Sequence, residues 1–256
     1  TVAASSWGTL ITAVKTAAQH QGTSIDLPGS NPSAGDTITA FDGSVGSDTF
    51  NLTSAVADIN TNSANVDAGQ QTTVAGSQVN ARGSVWGSGG SETIDAESYV
   101  QFASQVAADA FFNTGGEILI TFQHASGSTD QDNNWRDIFN NKIGTFKLGK
   151  TSTSRTGNGG TIAAFGYTSL TSSYQNIYTG TNIGGGAYAA NDTNIEAYLN
   201  ESNHSLYIRT THVDQSTAIA PSTADEVAAG TAVSIGFRKS TVYAPATPSV
   251  TSVSGY

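Results

Sequence analysis

The chain has 256 residues, and serine, threonine, asparagine and glycine account for 111 of them. Twenty acidic residues against ten basic ones give a net charge of −10, and both cysteine and methionine are absent. This composition excludes disulfides and thiol chemistry, and it argues against nucleic acid or an anionic membrane as a partner, because both attract a basic surface.

The opening segment predicts an amphipathic helix. Ser5 or Ser6 can cap it and Gly22 can end it in a left-handed conformation. An apolar stripe recurs at helical spacing, formed by Trp7, Leu10, Ile11, Val14 and Ala18. A marginal helix of this length needs a surface to pack on, so the stripe is predicted to be an attachment surface.

The rest of the first hundred residues is mostly irregular by sequence. Residues 22–50 indicate a loop with one strand-like run at 37–41, and a second helix is predicted over 52–66. Residues 67–92 are rich in Gly, Ser, Gln and Thr, which favours a linker with Trp86 as its bulky anchor.

The middle of the chain alternates between helix and strand patterns. A third helix is predicted from Glu97 or Ser98 to Asn113, and a strand follows over 117–123 because apolar residues alternate there. A short helix capped by Asp132 or Asn133 and an extended segment at 142–147 come next.

The remainder favours β-structure. The predicted strands are 161–167, 173–178, 193–200, 205–214 and 231–241, and the turn at 201–204 indicates a hairpin. We therefore expect an α+β protein, with N-terminal helices and a C-terminal antiparallel β-sandwich, which leaves a jelly-roll topology open. The predicted organisation is an attachment region and linker at 1–92, a sandwich domain at 93–242 and an extended tail at 243–256.

Sequence motifs for catalysis and metal binding are missing. The chain has no Gly-x-Ser-x-Gly elbow, no phosphate-binding loop and no metal-type spacing among its four histidines. We therefore expect no catalytic residues, no metal and no cofactor. Asp130, Asp132 and Asn134 match three positions of a calcium loop, but the next positions hold Trp135 and later Asn141 where Gly and Glu are needed. A helix N-terminus with a favourable cluster of acidic residues is the preferred interpretation there, and calcium is left open.

Sugar chemistry is the other open alternative. Four carboxylates lie near the predicted hairpin, namely Asp192, Glu196, Glu201 and Asp214, and a glycosidase needs two such groups close together. Six tyrosines of the C-terminal half can pack in strands or stack on sugar rings: Tyr167, Tyr174, Tyr178, Tyr188, Tyr198 and Tyr207. Packing is the favoured interpretation.

Two stretches carry a family resemblance. The first comprises Ala4–Trp7, Leu10-Ile11, Val14, His20–Gly22 and Gly35–Ala40; the second comprises Phe111–Ile118 with Asn134-Trp135 and Ile138-Phe139. Together they resemble virion structural proteins of tailed phages, of the cyanobacterial and marine type. The resemblance implies a tail, neck or fibre component that is present in several copies.

The sequence thus predicts a non-enzymatic virion component that assembles with itself and with other virion proteins. Its expected assembly interface is formed by Trp7, Leu10, Ile11, Val14 and Trp86. The alternative is a carbohydrate-binding module that recognises a host surface glycan, and a glycan-degrading enzyme is the second rival. The chain shows neither a secretory leader nor a membrane-spanning run, which favours cytoplasmic synthesis. The resemblance then implies that the host cytoplasm is where the protein is made and that the virion is where it is located.

Overall fold

A computed structural model of the chain describes residues 4–25, 44–45, 48–49, 52–62, 66–88, 91–215 and 226–256. The chain divides into two compact units. The helical unit comprises Thr1–Thr72 with Ser240–Ala244, and the sandwich unit comprises Thr73–Lys239 with Pro245–Tyr256. The strand-like run predicted at 37–41 lies outside the described residues.

The helical unit contains the first two predicted helices. Helix α1 spans Ala4–Gln21 and ends at Gly22, whose φ of 68° is the left-handed conformation that the sequence predicted there. Ile11 is fully buried and packs with Trp7 and Leu52. Helix α2 spans Leu52–Thr61, and two short strands, β1 (Ser44–Val45) and β2 (Asp48–Thr49), pair antiparallel.

The sandwich unit is built on two antiparallel sheets, so the predicted α+β fold with a β-sandwich is confirmed. The large sheet has the strand order β13-β4-β11-β10-β9-β8 and the small sheet β3-β12-β5-β6-β7. The bounds are β3 Gln71–Ala81, β4 Glu92–Gln101, β5 Glu117–His124, β6 Phe146–Leu148, β7 Thr153–Arg155, β8 Thr161–Ile162, β9 Gln175–Gly180, β10 Asp192–Asn200, β11 Ser205–Asp214, β12 Thr231–Ser240 and β13 Ser249–Ser254.

The described part of the sandwich unit contains two α-helices and a π-helical turn. Helix α3 spans Gln105–Asn113, helix α4 spans Asp130–Asp137, and a π-helical turn continues α4 over Ile138–Ile143. The side chain of Ser104 caps α3 by accepting a hydrogen bond from the backbone N–H of Ala107.

The prediction of the third helix was wrong over the first half of that segment. Residues Glu92–Gln101 form β4, in which buried and exposed side chains alternate along the strand. The sequence prediction followed Tyr99 and Phe102 at helical spacing, but Tyr99 lies on the exposed face of β4 and the helix begins only after Ser104. Pairing with β11 over the whole length of β4 decides the conformation.

Other segments also differ from the sequence predictions. The interval expected to be a linker, 67–92, contains the edge strand β3. The extended segment expected at 142–147 begins as the π-helical turn and becomes a strand only at Phe146. The predicted C-terminal tail supplies β13, which pairs with β4 at the edge of the large sheet.

The sandwich core lies between the sheets and is rich in aromatic rings. His212 of β11 is surrounded by Phe122, Trp135 and Phe139 at ring-centroid distances of 5.1, 5.8 and 4.9 Å. His212 is fully buried, and burial lowers its pKa to about 3, so it is neutral in the folded protein at pH 7.

Candidate functional site

Four tyrosines form a continuous row on the exposed face of the large sheet. In this tyrosine row, Tyr198 stacks on Tyr207 with ring centroids 4.5 Å apart and planes within 9° of parallel. Tyr99 lies 5.3 Å from Tyr207, and Tyr174, just before β9, meets Tyr198 edge to face at 4.7 Å. The row therefore crosses three adjacent strands and reaches the loop before a fourth.

The strand register produces this row. Tyr207 of β11 is the direct partner of both Tyr198 of β10 and Tyr99 of β4. On all three strands these positions face away from the core, because their neighbours Leu199, Leu206 and Val100 are buried. Cross-strand aromatic pairs of this kind stabilise a sheet surface and leave the ring edges and hydroxyls toward solvent.

A row of charged side chains runs beside the tyrosines. Arg209 of β11 lies between Glu97 of β4 and Glu196 of β10, and it donates from Nε and Nη2 to Glu196 at 2.8 and 2.6 Å. The Arg209 guanidinium also lies 4.1 Å from the centre of the Tyr174 ring. The hydrogen bond to Glu196 raises the pKa of Arg209, while burial and the neighbouring Glu97 carboxylate raise the pKa of Tyr174.

The tyrosine row ends in a groove of about 620 Å³. Its apolar surface comes from Leu170, Tyr198 and Leu199, and its polar lining comes from Thr171, Ser172, Asn200, Glu201 and Ser202. Two segments form it, residues 170–172 and the end of β10 with the turn that follows it. The backbone N–H of Leu199 donates to the carbonyl of Thr171 at 2.8 Å and holds the two segments together. The groove is therefore a preformed, amphipathic site on the surface.

The structure separates the six tyrosines of the C-terminal half into two groups. Tyr167, Tyr178 and Tyr188 are buried, in agreement with the packing role that the sequence favoured. Tyr174, Tyr198 and Tyr207 are half-buried members of the tyrosine row. Tyr99, which the sequence assigned to a helix, completes the row.

Three of the four candidate carboxylates bind another group of the protein. Glu196 binds Arg209, Asp192 accepts from the backbone N–H of Asn182 at 2.7 Å, and the buried Asp214 accepts from Gln131 at 2.6 Å. Glu201 lies at the groove, on the exposed turn. Asp192, Glu196 and Asp214 therefore have structural contacts, and Glu201 is the one acid of the four that lines the groove.

The calcium-like run is the start of helix α4. Thr129 and Asp132 form a capping box, in which the Asp132 carboxylate accepts from the Thr129 backbone N–H at 2.9 Å. Asp132 also accepts from the Ala228 backbone N–H and contacts His124, both at 2.9 Å. Burial opposes ionisation of Asp132, but these hydrogen bonds outweigh it and lower its pKa. The favoured interpretation, a helix start with a cluster of acidic residues, is confirmed, but the cap is Thr129 and not the predicted Asp132 or Asn133, which lie inside the helix.

The same contacts place Asp132, His124 and Thr231 in one chain. His124 Nδ1 lies 3.2 Å from the Thr231 hydroxyl, which also accepts from Trp86 Nε1 at 3.2 Å. The order resembles that of a carboxylate, a base and a nucleophile, but all three side chains are buried in the core. A substrate would have to open the core to reach Thr231. No group of three or more metal-ligating side chains occurs among the described residues.

The predicted assembly residues lie in both compact units. In the helical unit, Ile11 and Val14 are buried, Trp7 is half-buried and Leu10 is 41% exposed. In the sandwich unit, Trp86 is 1% exposed and its ring lies 4.8 Å from that of Trp135. Leu10 is thus the member of this set that offers the most apolar surface to another molecule.

Comparisons with known proteins gave no match to any family model, curated protein or solved structure. In the part of the chain that the structure describes, no helix has the length and apolar character needed to cross a bilayer.

Proposed function

We propose that the protein is a non-enzymatic component of a tailed-phage virion and that it binds a host surface glycan at the tyrosine row and its groove. The observation that carries the glycan part is the groove itself, where an apolar wall containing Tyr198 meets a lining of hydroxyl, amide and carboxylate groups.

A sugar ring matches this mixture of surfaces. Its C–H groups pack on aromatic and aliphatic side chains, and its hydroxyls exchange hydrogen bonds with polar side chains. Leu170, Leu199 and Tyr198 supply the first kind of contact, while Thr171 and Ser172 are exposed and supply the second. Mutual stacking covers one face of Tyr198 and one of Tyr207, so the ligand meets the centre of the row through ring edges and hydroxyls.

The virion part of the proposal rests on the sequence resemblance. The low charge content and the abundance of Ser, Thr, Asn and Gly suit extensive contact between subunits without strong electrostatic steering. A glycan-binding component of a particle gains avidity from its copy number, so weak individual sites suffice.

A binding experiment with the full chain tests the glycan proposal. Polysaccharide from a host envelope is immobilised, and retention of the wild type is compared with Tyr198→Ala. We expect retention to weaken by at least about tenfold, since Tyr198 belongs to both the row and the groove. Tyr243→Ala is the matched control, because Tyr243 is an exposed tyrosine of the helical unit. Equal retention of all three proteins, or none, would reject glycan binding at this face.

Assembly through the helical unit is a second candidate function. Leu10 of α1 and Val56 of α2 are each 41% exposed, so both helices of this unit offer apolar surface to a second molecule. We expect the wild type to be a multimer in solution and Leu10→Ser with Val56→Ser to lower its mass. Light scattering measures both, and a wild-type monomer would remove this candidate.

A further inference from the structure

We infer that the ligand of the groove and tyrosine row is an uncharged glycan rather than an anionic one, an inference that rests on the glycan-binding function proposed above. The charges that surround the site favour an uncharged ligand.

Acidic side chains dominate the exposed face of the large sheet. Five of them occupy the outward positions of β4 and β10 or the turn that follows β10: Asp95, Glu97, Asp192, Glu196 and Glu201. Glu201 lines the groove directly. An anionic polymer lying along the row would bring its own charges against these carboxylates, and like-charge contact at an interface costs several kcal/mol.

The face has little positive charge to offset this repulsion. Arg209 is the single lysine or arginine in the described strands of the large sheet and in the turn at 201–204. Its guanidinium is engaged on two sides, by the Glu196 carboxylate and by the face of the Tyr174 ring. A carboxylate or sulfate group on a ligand would have to displace Glu196 to form two hydrogen bonds with the Nε–Nη2 edge of Arg209.

The polar lining of the groove fits hydroxyl groups instead. Serine and threonine hydroxyls both donate and accept, the Asn200 amide does the same, and the Glu201 carboxylate accepts. A ligand that carries many hydroxyls and no net charge uses all of these groups without an ionic partner. Because no charge pair is involved, its affinity depends little on salt.

Calorimetry with the full chain tests the inference. Three sets of oligosaccharides of equal length are titrated: neutral glucans, anionic galacturonans and cationic glucosamine oligomers. We expect binding of the neutral set, affinity at least about tenfold weaker for the anionic set, and less than about twofold change between low and high salt. Tyr198→Ala should weaken the neutral set, and Tyr243→Ala should not.

A charge change at the groove makes the test specific. Glu201→Lys should improve affinity for the anionic oligomers several-fold while affinity for the neutral set falls or stays unchanged. Anionic oligomers bound by the wild type as tightly as neutral ones would overturn the inference and leave glycan binding standing. Salt-sensitive binding of the cationic set alone would also overturn it. If no set binds, both the inference and the proposed glycan-binding function fail.

Discussion

The two faces of the large sheet carry different kinds of paired side chains. On the inner face, buried polar side chains have hydrogen-bonding partners: Thr193 lies 3.1 Å from His212 Nδ1, and His212 Nε2 lies 2.9 Å from the Tyr256 hydroxyl. On the outer face, tyrosine side chains contact one another in a stacked row. The inner face thus pairs polar groups by hydrogen bonds, and the outer face pairs aromatic rings by stacking.

This difference shows which face of the sheet a ligand can bind. The inner groups are saturated by their partners and shielded from water, so they contribute to stability. The outer tyrosines and glutamates are only half-buried, so a ligand can reach them, although the Tyr174 hydroxyl itself is buried. Substitutions on the inner face should therefore cost more stability than substitutions on the outer face.

Trp135→Ala should cause the largest loss. Trp135 is fully buried against Trp86 and Phe139, with ring centroids 4.8 and 5.5 Å away. Removing it leaves a cavity in a close-packed core, and we expect the free energy of unfolding to fall by about 3–5 kcal/mol. Urea denaturation measures the loss. The half-buried Trp7 of the helical unit is the control. An equal loss for Trp7→Ala would mean that burial in the sandwich core adds no stability beyond that of a half-buried tryptophan.

Acidification from pH 7 to pH 5 should destabilise the sandwich unit. The unfolded chain protonates His212 near its ordinary pKa of 6.5, whereas the folded protein holds the pKa at about 3. The unfolded state therefore takes up the proton in this interval, and stability falls by about 2 kcal/mol. Urea denaturation at the two pH values measures this, and burial lowers the pKa of His124 in the same direction. A His212 NMR titration with a midpoint near 6.5 would contradict the buried, neutral state.

Tyr256→Phe should cost about 1–2 kcal/mol, since it leaves buried His212 and Thr210 without the hydroxyl that lies 2.9 Å from each. The ring remains, so packing is retained and the change isolates the hydrogen bonds. Thermal unfolding monitored by circular dichroism is the measurement. Tyr243→Phe, in the helical unit, serves as the control. An equally small effect for both would show that the hydrogen bonds of the Tyr256 hydroxyl add little to the free energy of unfolding.

Tyr207→Ala should have the smallest effect, about 1 kcal/mol, because Tyr207 is half-buried and loses two ring contacts rather than a place in the core. Tyr207→Phe keeps the ring and should be within about 0.5 kcal/mol of the wild type. Urea denaturation compares the two variants. A loss as large as that of Trp135→Ala would mean that the row is part of the core and not a surface.

Sequence patterns predicted the parts of the fold that depend on local periodicity. Helix α1, strand β5 and the hairpin of β10 and β11 all lie close to their predicted positions. Strand β4 was missed because its outward residues Glu97 and Tyr99 combine with Phe102 into a helical spacing, and only pairing with the distant strand β11 distinguishes the two. Local pattern cannot reveal a partner that lies more than a hundred residues away.

The candidate site was predictable in part for the same reason. Tyr198 and Tyr207 lie at equal distances from the turn at 201–204, so the hairpin already places them opposite each other. Tyr99 joins them only through the missed strand, and Tyr174 through a loop conformation. The groove depends on the hydrogen bond between Leu199 and Thr171, which no periodicity encodes.

The position of β4 at the centre of these pairings also governs how the sandwich can fold. The β10–β11 hairpin closes a short loop, whereas the contact of Ser205 with Gln101 joins residues 104 positions apart and the contact of Ser252 with Asn80 joins residues 172 apart. Closing such long loops loses chain entropy before any packing is gained, so refolding should be slow for a chain of this size. Until β13 arrives, one edge of β4 stays unpaired, and an unpaired edge can recruit a strand from another molecule. The order in which strands join the sheet therefore affects yield as well as rate.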